Sequence, residues 1–291
     1  MQALTFYLAW GLIWIISLLP LRILYIISDG LYFLVYRVFK YRTNVVFKNL
    51  RNAFPEKEED ELKEIAKKFY HNFCDLLVET VKLWNLPKKE ALKRIKWIDI
   101  DLIRKYYDEG KSILVVCGHI GNWEASYQIG LLTKHLPLAV YKPLANKYFD
   151  KQLLKSRTRY KAVAVPMNNI FRKLVQYKKE NIPTITALAS DQTPLKSEIQ
   201  YWTDFLNQDT ALFLGVEKMA KKFNYPVIYL WMDKPKRGYY NIYCRTLHDN
   251  PAETQDHEIT EMHVRALEED IKRKPELWLW SHRRWKHKRE V

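Results

Sequence analysis

One stretch of the chain, SILVVCGHIGNWEASYQI over residues 112–129, constrains the fold more than any other. It opens with an unbroken apolar run, Ile113–Cys117, which is rich in β-branched residues and typical of a buried strand. Gly118 ends the run, His119 follows it, and Asn122 is a candidate N-cap for a helix. We therefore predict a central strand of an α/β sheet with a histidine at its carboxyl end, where such sheets usually bind ligands.

A carboxylate, Glu124, follows His119 by five residues. Along one regular helix this spacing turns the side chains apart by about 140°, but a strand–loop–helix turn can bring them together. A carboxylate on one imidazole nitrogen fixes the tautomer, and the other nitrogen is then free to take a proton from a substrate hydroxyl. The pair therefore fits direct acyl transfer without a serine or cysteine nucleophile. The alternative is a structural histidine with a glutamate on a solvated helix face.

The charge balance restricts the partners. The chain has 291 residues and a formal net charge of +15, with 10 Trp and 19 Tyr. That combination fits two partners, nucleic acid or the anionic surface of a membrane. Cys74, Cys117 and Cys244 are scattered through apolar segments, so we expect structural thiols in a reducing compartment. Because the sequence has no dinucleotide-binding, phosphate-loop or metal-ligand spacing, we predict no cofactor and no metal.

Residues 1–40 are predicted to form a membrane anchor. Met1–Leu21 carries no charged side chain, and after Arg22 a second apolar run extends over residues 23–35. A stretch of about 20 apolar residues is long enough to cross a bilayer. Basic residues follow the second run, so the positive-inside rule places the rest of the chain on the cytoplasmic side. A helix lying in the membrane interface is the alternative.

Residues 41–291 are predicted to form the catalytic domain. Residues 41–95 have the apolar spacing of amphipathic helices, with one long helix over residues 56–84. On that helix we interpret His71 and Glu79 as packing or solvated surface residues. Residues 96–250 alternate strand and helix patterns, which predicts a mixed or mainly parallel α/β sheet flanked by helices. Residues 251–291 are predicted to form a last helix and a basic-aromatic tail.

The expected elements after the central strand follow in order. The strands are Leu136–Tyr141, Ala162–Pro166, Thr184–Ser190, Val227–Met232 and an edge strand, Tyr239–Thr246. The helices are Lys147–Arg159, Asn169–Lys179, Thr210–Phe223 and Ile259–Lys274.

With these motifs placed, the sequence resembles the lipid A late acyltransferases. The resemblance covers nearly the whole chain and is carried by YRTNVVFKNLRNAFPE, GHIGNWE, YKPLANKYFDKQLLKSR, ASDQTP, FLNQDTA and ELWLWSHRRWK. It implies a glycerolipid-acyltransferase-like mixed sheet flanked by helices. It also implies a bacterial inner-membrane enzyme that moves an acyl chain from acyl carrier protein onto a hydroxyl of an acylated sugar lipid.

The resemblance also implies roles for single residues. His119 and Glu124 match the family's catalytic His-x4-Asp/Glu pair, with His119 as the base and Glu124 as its orienting partner. Asp191 and Gln192 match its Asp-Gln element and are expected to line the site. The Thr-Ala segment is preceded here by Leu206–Asn207, where the family has a glycine, so the loop shape differs from the usual one.

A further segment, which begins Arg-Pro in the family, is matched by Lys142, Asn146, Asp150 and Arg157. Because Lys142 replaces the arginine, a bidentate contact with phosphate becomes a point-charge contact. We expect Arg157 to stabilise the developing oxyanion or to hold a lipid phosphate, the alternative being a helix-surface arginine. The backbone amides near Gly118–Asn122 are the other candidates for stabilising the oxyanion.

In the tail, basic and aromatic residues alternate around Arg283, Arg284 and Trp285. This pattern is expected to face anionic lipid headgroups, with a solvated charge run as the alternative.

The sequence therefore predicts a membrane-bound O-acyltransferase that uses acyl carrier protein as donor and a lipid A precursor of the Kdo-lipid IVA type as acceptor. The same chemistry on an amino-acid lipid or another glycolipid, or with acyl-CoA as donor, stays open. A membrane-tethered nucleic-acid-binding protein is the distant alternative. No nucleic-acid-binding motif accompanies the basic residues, and we predict no nucleic-acid partner.

Overall fold

The computed structural model describes residues 2–289, and its centre is a seven-stranded mixed β-sheet with helices packed against it. The strands of the described chain are β1 (Ile95–Trp97), β2 (Ile113–Cys117), β3 (Leu136–Tyr141), β4 (Val163–Pro166), β5 (Thr184–Ala189), β6 (Tyr201–Asp204), β7 (Asp209–Leu212), β8 (Val227–Lys236) and β9 (Tyr239–His248). The α-helices are α1 (Gln2–Leu18), α2 (Leu21–Tyr32), α3 (Thr43–Ala53), α4 (Glu59–Leu83), α5 (Lys88–Arg94), α6 (Ile100–Asp108), α7 (Lys147–Arg157), α8 (Ile170–Lys179), α9 (Gly215–Phe223) and α10 (Glu258–Arg273). Short 3₁₀ and π segments lie between them, including a 3₁₀ helix over Trp123–Leu131.

The sheet has the order β1-β9-β8-β2-β5-β3-β4, so β2 lies in the middle. It pairs in parallel with β8 on one side and with β5 on the other, and Cys117 lies opposite Ala189. Because the carboxyl ends of β2 and β5 are level, the loops that follow them emerge side by side. The predicted mixed α/β architecture is confirmed.

The continuous apolar sequence of β2 follows from its central position. Residues 113–116 are each at most 1% exposed, because helices α9 and α10 cover the strand and other strands flank it. A strand buried in this way has no solvent-facing side on which polar residues would be favourable. The predicted strand is confirmed at Ile113–Cys117.

The long amphipathic helix is also confirmed, as α4. Glu58 and Glu61 form a capping box at its start, and the acidic residues of its first turn favour the positive end of the helix dipole. Its buried stripe includes Leu62, Ala66 and Phe69, which pack into the main core. This helix carries Glu79 towards the sheet.

The N-terminal segment forms two helices. Within residues 2–289 no helix is both long enough and apolar enough to span a membrane. Helix α1 has 17 residues, and about 26 Å of helix is shorter than a hydrocarbon core of about 30 Å. Pro20 then separates it from α2, which contains Arg22 and Asp29. The prediction of a membrane-spanning helix is therefore not supported.

Two predicted elements are wrong. The helix predicted over Thr210–Phe223 begins only at Gly215, because Asp209–Leu212 is strand β7 and pairs antiparallel with β6. The two-residue turn between β6 and β7 places Leu206 and Asn207 at φ of 52° and 60°, the left-handed conformation of a tight hairpin. Strand β9 is not an edge strand, since β1 pairs with its outer side.

Candidate active site

The loops after β2 and β5 bring His119 and Asp191 together. Nδ1 of His119 lies 2.6 Å from Oδ1 of Asp191, and the backbone N–H of His119 donates to Oδ2 at 2.8 Å. Oδ2 also accepts from the indole N–H of Trp278 at 2.8 Å. Asp191 is 4% exposed, so water does not reach its carboxylate. The three protein donors take the place of water as its hydrogen-bond partners.

The two charges perturb each other. Burial by itself lowers the pKa of His119, but the charge of Asp191 and the hydrogen bond to it prevail, and the pKa of the ring is raised. Burial by itself raises the pKa of Asp191, yet the charge of His119 and the three hydrogen bonds hold that pKa well below its usual range. Asp191 is therefore ionised at neutral pH and supports a positive charge on His119.

This arrangement fixes the tautomer of His119. An ionised carboxylate only accepts hydrogen bonds, so Nδ1 carries the proton and Nε2 carries the lone pair. Nε2 lies 3.2 Å from Nε2 of Gln192, whose amide donates to it. The lone pair of Nε2 therefore points towards Gln192, and a substrate hydroxyl can take the place of the amide as its hydrogen-bond donor.

Glu124 does not orient His119 in the structure. It is bonded instead to Arg157, whose Nε donates to Oε2 at 3.0 Å and whose Nη2 donates to Oε1. Both side chains are mostly buried, and the charges of both act on the pKa of His119. The expectation that Glu124 is the orienting carboxylate is therefore corrected: Asp191 takes that position, and Glu124 holds Arg157 near the base.

The loop after β2 requires glycine at two positions. A Cβ on Gly118 would lie 2.6 Å from Cδ1 of Leu267 and 3.3 Å from Oδ2 of Asp191. Gly121 has a φ of +59°, and a Cβ there would lie 3.0 Å from Sδ of Met232. The two glycines let the backbone turn sharply against α10 and β8, so that His119 reaches Asp191.

The same loop is clamped from its other side by the segment after α10. The N–H of Gly121 donates to the carbonyl of Leu277 at 2.9 Å, and Ile120 forms a bridge with Trp278. The predicted N-cap, Asn122, makes no capping hydrogen bond. Its side-chain amide donates instead to Glu79 on α4 at 2.9 Å. Glu79 is 5% exposed, so of the two alternatives given for it, packing or solvated surface, the structure supports packing.

An apolar slot adjoins the loop. It is lined on one side by Phe69, Phe73 and Leu76 of α4 and on the other by residues 277–279, and Trp123 closes it near His119. Three polar residues also line it: Asn72, Lys234 and Glu276. The ring of Trp123 stands edge-on to the imidazole, with the centroids 4.8 Å apart. The free space inside is about 10 Å³, so a ligand enters only if these side chains move apart.

The predicted substrate-binding residues before α7 have other partners. Oδ1 of Asn146 caps α7 by accepting from the N–H groups of Tyr148 and Phe149, and Oδ1 of Asp150 accepts from the N–H of Leu144 at 2.8 Å. These bonds shape the loop and leave Lys142 exposed just after β3. Arg157, at the last turn of α7, is the member of this set that the structure brings to His119.

The tail does not form the expected lipid-facing belt. Arg284 is 2% exposed and donates through Nη2 to the carbonyl of Ala211 at 2.9 Å, and burial lowers its pKa to about 10. Trp285 donates to Oγ1 of Thr210 at 2.7 Å and packs against Phe205. The prediction is wrong for these two residues, because the tail folds back against β7. Arg283 is exposed.

Sequence reasoning missed the partners of the base. An aspartate directly after a strand is a recognisable signal, and Asp191 was expected to line the site, but its contact with His119 requires β5 to lie beside β2. Trp278 lies 87 residues from Asp191, to which it donates, and Glu79 lies 43 residues from Asn122, from which it accepts. No local pattern connects positions so far apart.

These contacts define the available chemistry. In its neutral form the imidazole of His119 has one unprotonated nitrogen, Nε2. It also has an ionised partner that stabilises its protonated form, and a guanidinium lies nearby for a developing negative charge. Among the described residues, no serine or cysteine is hydrogen-bonded to His119. Burial raises the pKa of the neighbouring thiol, Cys117, to about 12, so it is not a nucleophile at neutral pH. The site suits a base that activates a hydroxyl of the substrate.

Comparison with known proteins gives a match over nearly the whole chain. The sequence signature of the bacterial lipid A biosynthesis acyltransferases matches residues 1–287. The lipid A biosynthesis lauroyltransferase of Escherichia coli (strain K12) is 24% identical over 291 residues, which cover 98% of this chain and 93% of that protein. The lipid A biosynthesis palmitoleoyltransferase of the same organism is 22% identical over 289 residues, 97% of this chain and 92% of that protein. A lipid A biosynthesis acyltransferase of Shigella flexneri matches with the same identity and coverage.

Proposed function

Because the chain belongs to the bacterial lipid A biosynthesis acyltransferase family, we propose that it transfers a fatty acyl chain from acyl carrier protein to a hydroxyl of a lipid A precursor. The acceptor is of the Kdo-lipid IVA type. The observation that carries the proposal is the His119–Asp191 pair at the carboxyl ends of adjacent parallel strands, in which Nε2 of the base faces only the displaceable amide of Gln192. The net charge of +15 suits both an acidic carrier protein and a phosphorylated lipid.

The reaction is a single displacement. The acceptor hydroxyl occupies the position of the Gln192 amide at Nε2 of His119, which takes its proton as the oxygen attacks the thioester carbonyl. The new C–O bond forms, and the C–S bond breaks when the tetrahedral intermediate collapses. His119 then returns the proton to the sulfur, so the carrier leaves as a free thiol. Asp191 stabilises the imidazolium throughout.

Arg157 is a better candidate for stabilising the oxyanion than the backbone N–H groups of the loop that carries His119. The backbone N–H of His119 is bonded to Asp191, that of Ile120 to the carbonyl of Gly118, and that of Gly121 to Leu277. The loop amides nearest the base are therefore already occupied. A guanidinium held at two points by Glu124 in a mostly buried site is preorganised for a developing negative charge.

The apolar slot beside Trp123 is the proposed place for the acyl chain. Most of its lining residues are aliphatic or aromatic, with Asn72, Lys234 and Glu276 as the polar members, and Trp123 joins it to the base. Burying each methylene of a fatty chain there is worth about 0.8 kcal/mol, and this free energy offsets the cost of separating the α4 wall from residues 277–279.

The N-terminal helices supply a surface suited to the inner membrane, with the catalytic domain on the cytoplasmic side. Their exposed large apolar side chains include Tyr7, Ile26 and Phe39, which are 63%, 70% and 72% exposed. Arg22 and Lys40 accompany them, and a basic and apolar surface of this kind binds anionic bilayers from one side. Co-sedimentation with vesicles of anionic phospholipid tests this, with the double substitution Ile26→Glu/Phe39→Glu expected to lower the bound fraction.

The reaction is tested with detergent-purified protein and the Kdo-bearing tetraacyl lipid A precursor. The donors are acyl carrier proteins loaded with acyl chains of different length. A mass gain of one acyl chain, absent with His119→Ala, supports the proposal. If the lipid stays unchanged while the donor is consumed with a total membrane-lipid extract, the acceptor is another lipid, such as an amino-acid lipid or a different glycolipid. Turnover with acyl-CoA alone would replace the proposed donor.

A further inference from the structure

Glu79 lies where three parts of the chain meet. From α4 its Oε1 accepts from the hydroxyl of Tyr25 on α2 at 3.0 Å. Its Oε2 accepts from the hydroxyl of Tyr240 on β9 at 2.7 Å and from the amide of Asn122 at 2.9 Å. The carboxylate thus ties the N-terminal helices and the sheet to the loop that carries His119.

Asn122 depends on this contact. It is 2% exposed, and Glu79 is the hydrogen-bond partner of its side chain, whose Oδ1 is buried without one. A buried amide that loses its acceptor is destabilised by about 1–3 kcal/mol, so the loop moves when the carboxylate changes. Asn122 lies between His119 and Glu124, and its movement shifts both the base and the residue that holds Arg157.

We propose that Glu79 is a positioning residue for acyl transfer. Through Asn122 it fixes the position of His119 relative to the Glu124–Arg157 pair. The proposal rests on the proposed function. It predicts that breaking the Glu79–Asn122 contact lowers kcat and leaves the KM values nearly unchanged, since neither residue touches substrate. A misplacement of about 1 Å in an active site lowers the rate by about 100-fold.

Exchanging the two side-chain groups gives a sharp test. Asn122→Asp places a second carboxyl group 2.9 Å from Glu79 in a buried site, where burial already raises the pKa of Glu79. The two groups cannot both be ionised there, so they either take up a proton or move apart, and the contact between amide and carboxylate is lost. In Glu79→Gln/Asn122→Asp the amide and the carboxylate change places, and one hydrogen bond joins them again. Glu79→Gln alone keeps an oxygen for Tyr240 and Asn122 but loses the charge.

The expected rates follow from these contacts. Glu79→Gln lowers kcat about fivefold and Asn122→Asp about 100-fold, and the double variant recovers to within about threefold of Glu79→Gln alone. The KM values for donor and acceptor stay within about twofold of wild type, because ground-state binding is not altered. Asn122→Ala, which removes the donor without adding charge, lowers kcat about tenfold and decides the question if Asn122→Asp does not fold.

Glu217 provides a matched control. It is another buried carboxylate, 4% exposed, and it accepts from the backbone of His257 and from both donors of Thr260, away from the loop. Glu217→Gln is expected to lower the melting temperature as Glu79→Gln does, while kcat stays at the wild-type value. Stability loss alone therefore does not reproduce the effect at Glu79.

A second readout does not depend on turnover. Diethyl pyrocarbonate modifies unprotonated histidine, and mass spectrometry gives its rate at His119. We expect this rate to change more than about threefold in Asn122→Asp and to return in the double variant, because the environment of the ring moves with the loop. If the wild-type protein transfers no acyl chain, the proposed function fails and this measurement decides the positioning role separately. A folded Asn122→Asp or Asn122→Ala variant with wild-type kcat and modification rate overturns the proposal, as does a double variant no better than Asn122→Asp.

Discussion

The substitution Asp191→Asn tests the assignment of the orienting carboxylate, because its effect follows from which donors meet which oxygen. Oδ2 of Asp191 accepts from the backbone of His119 and from Trp278, whereas Oδ1 meets only Nδ1 of His119. An asparagine in this position has one oxygen and one NH2 group. The oxygen will occupy the position of Oδ2, where two N–H donors require an acceptor, and the NH2 group will face Nδ1.

That orientation forces the wrong tautomer on His119. Nδ1 then accepts from the asparagine, so the proton moves to Nε2, and the ring can no longer take a proton from a hydroxyl at that atom. In serine proteases the equivalent change lowers kcat about 10⁴-fold. Since two of the three hydrogen bonds at Asp191 are kept, the fold should survive. We expect kcat to fall by about 10³- to 10⁴-fold, or about 4–5 kcal/mol of transition-state stabilisation.

The assay is mass-spectrometric acyl transfer over a range of pH, with wild-type protein and Glu124→Gln beside Asp191→Asn. Residual activity of Asp191→Asn is expected to show an acid limb shifted to lower pH, because the charge that raises the pKa of His119 is gone. Glu124→Gln is expected to lose only about tenfold in kcat, since it weakens the two-point hold on Arg157 without changing the tautomer.

The reverse order of effects would refute the reasoning. If folded Asp191→Asn keeps more than about a tenth of the wild-type kcat while Glu124→Gln loses about 10³-fold, then Glu124 supports the base during turnover. An unshifted acid limb in Asp191→Asn would lead to the same conclusion. Circular dichroism and a thermal melt on each variant exclude unfolding as the cause.

Three further predictions concern the same site. Arg157→Lys keeps the charge but loses the two-point contact, so kcat should fall about 100-fold in steady-state assays; an unchanged kcat with a raised acceptor KM would make Arg157 a lipid-binding residue. Gly118→Ala should destabilise the fold by about 1–3 kcal/mol because of its close neighbours, measured by denaturant unfolding. Its control, Gly30→Ala in α2, meets nothing within 4 Å and should stabilise by about 0.5–1 kcal/mol; equal effects would contradict the packing argument. The pair of His119 and Asp191 should stabilise the fold most between about pH 4 and pH 6.5. Below that window the stabilisation is lost as the pH falls through the depressed pKa of Asp191. Above it the stabilisation is lost as the pH rises through the raised pKa of His119. The difference in melting temperature between wild type and Asp191→Asn should therefore become smaller at both ends of the window.

Much of the fold could be predicted because local sequence pattern and tertiary environment agree. The apolar run Ile113–Cys117 lies in the central strand, and the 3.6-residue spacing of residues 56–84 became one long helix. The prediction failed where the pairing of two strands determined the structure of a segment whose sequence has helical periodicity. Residues 209–212 have a pattern compatible with a helix, but a tight turn at Leu206–Asn207 pairs them with β6.

The site was predicted in part for a similar reason. His119 was identifiable because a histidine after a strand and a glycine is a local signal. The turn after the strand and the family's His-x4-Asp/Glu pair both indicate Glu124 as its partner, because both are features of one short stretch of the chain. Arg284 and Trp285 were assigned to the membrane from composition alone, whereas the fold buries Arg284 and packs Trp285 against Phe205.

The sequence by itself predicted most of the elements, the family and the candidate base, because strand and helix periodicity and a short motif are properties of neighbouring residues. Only the tertiary structure decided which groups act together. Strand order places β5 beside β2, which brings Asp191 to a histidine 72 positions away. The path of α4 places Glu79 beneath the catalytic loop, and α7 carries Arg157 to Glu124. The pairing of parallel strands and the packing of helices on a sheet join residues far apart in the chain, and local sequence patterns do not encode those contacts.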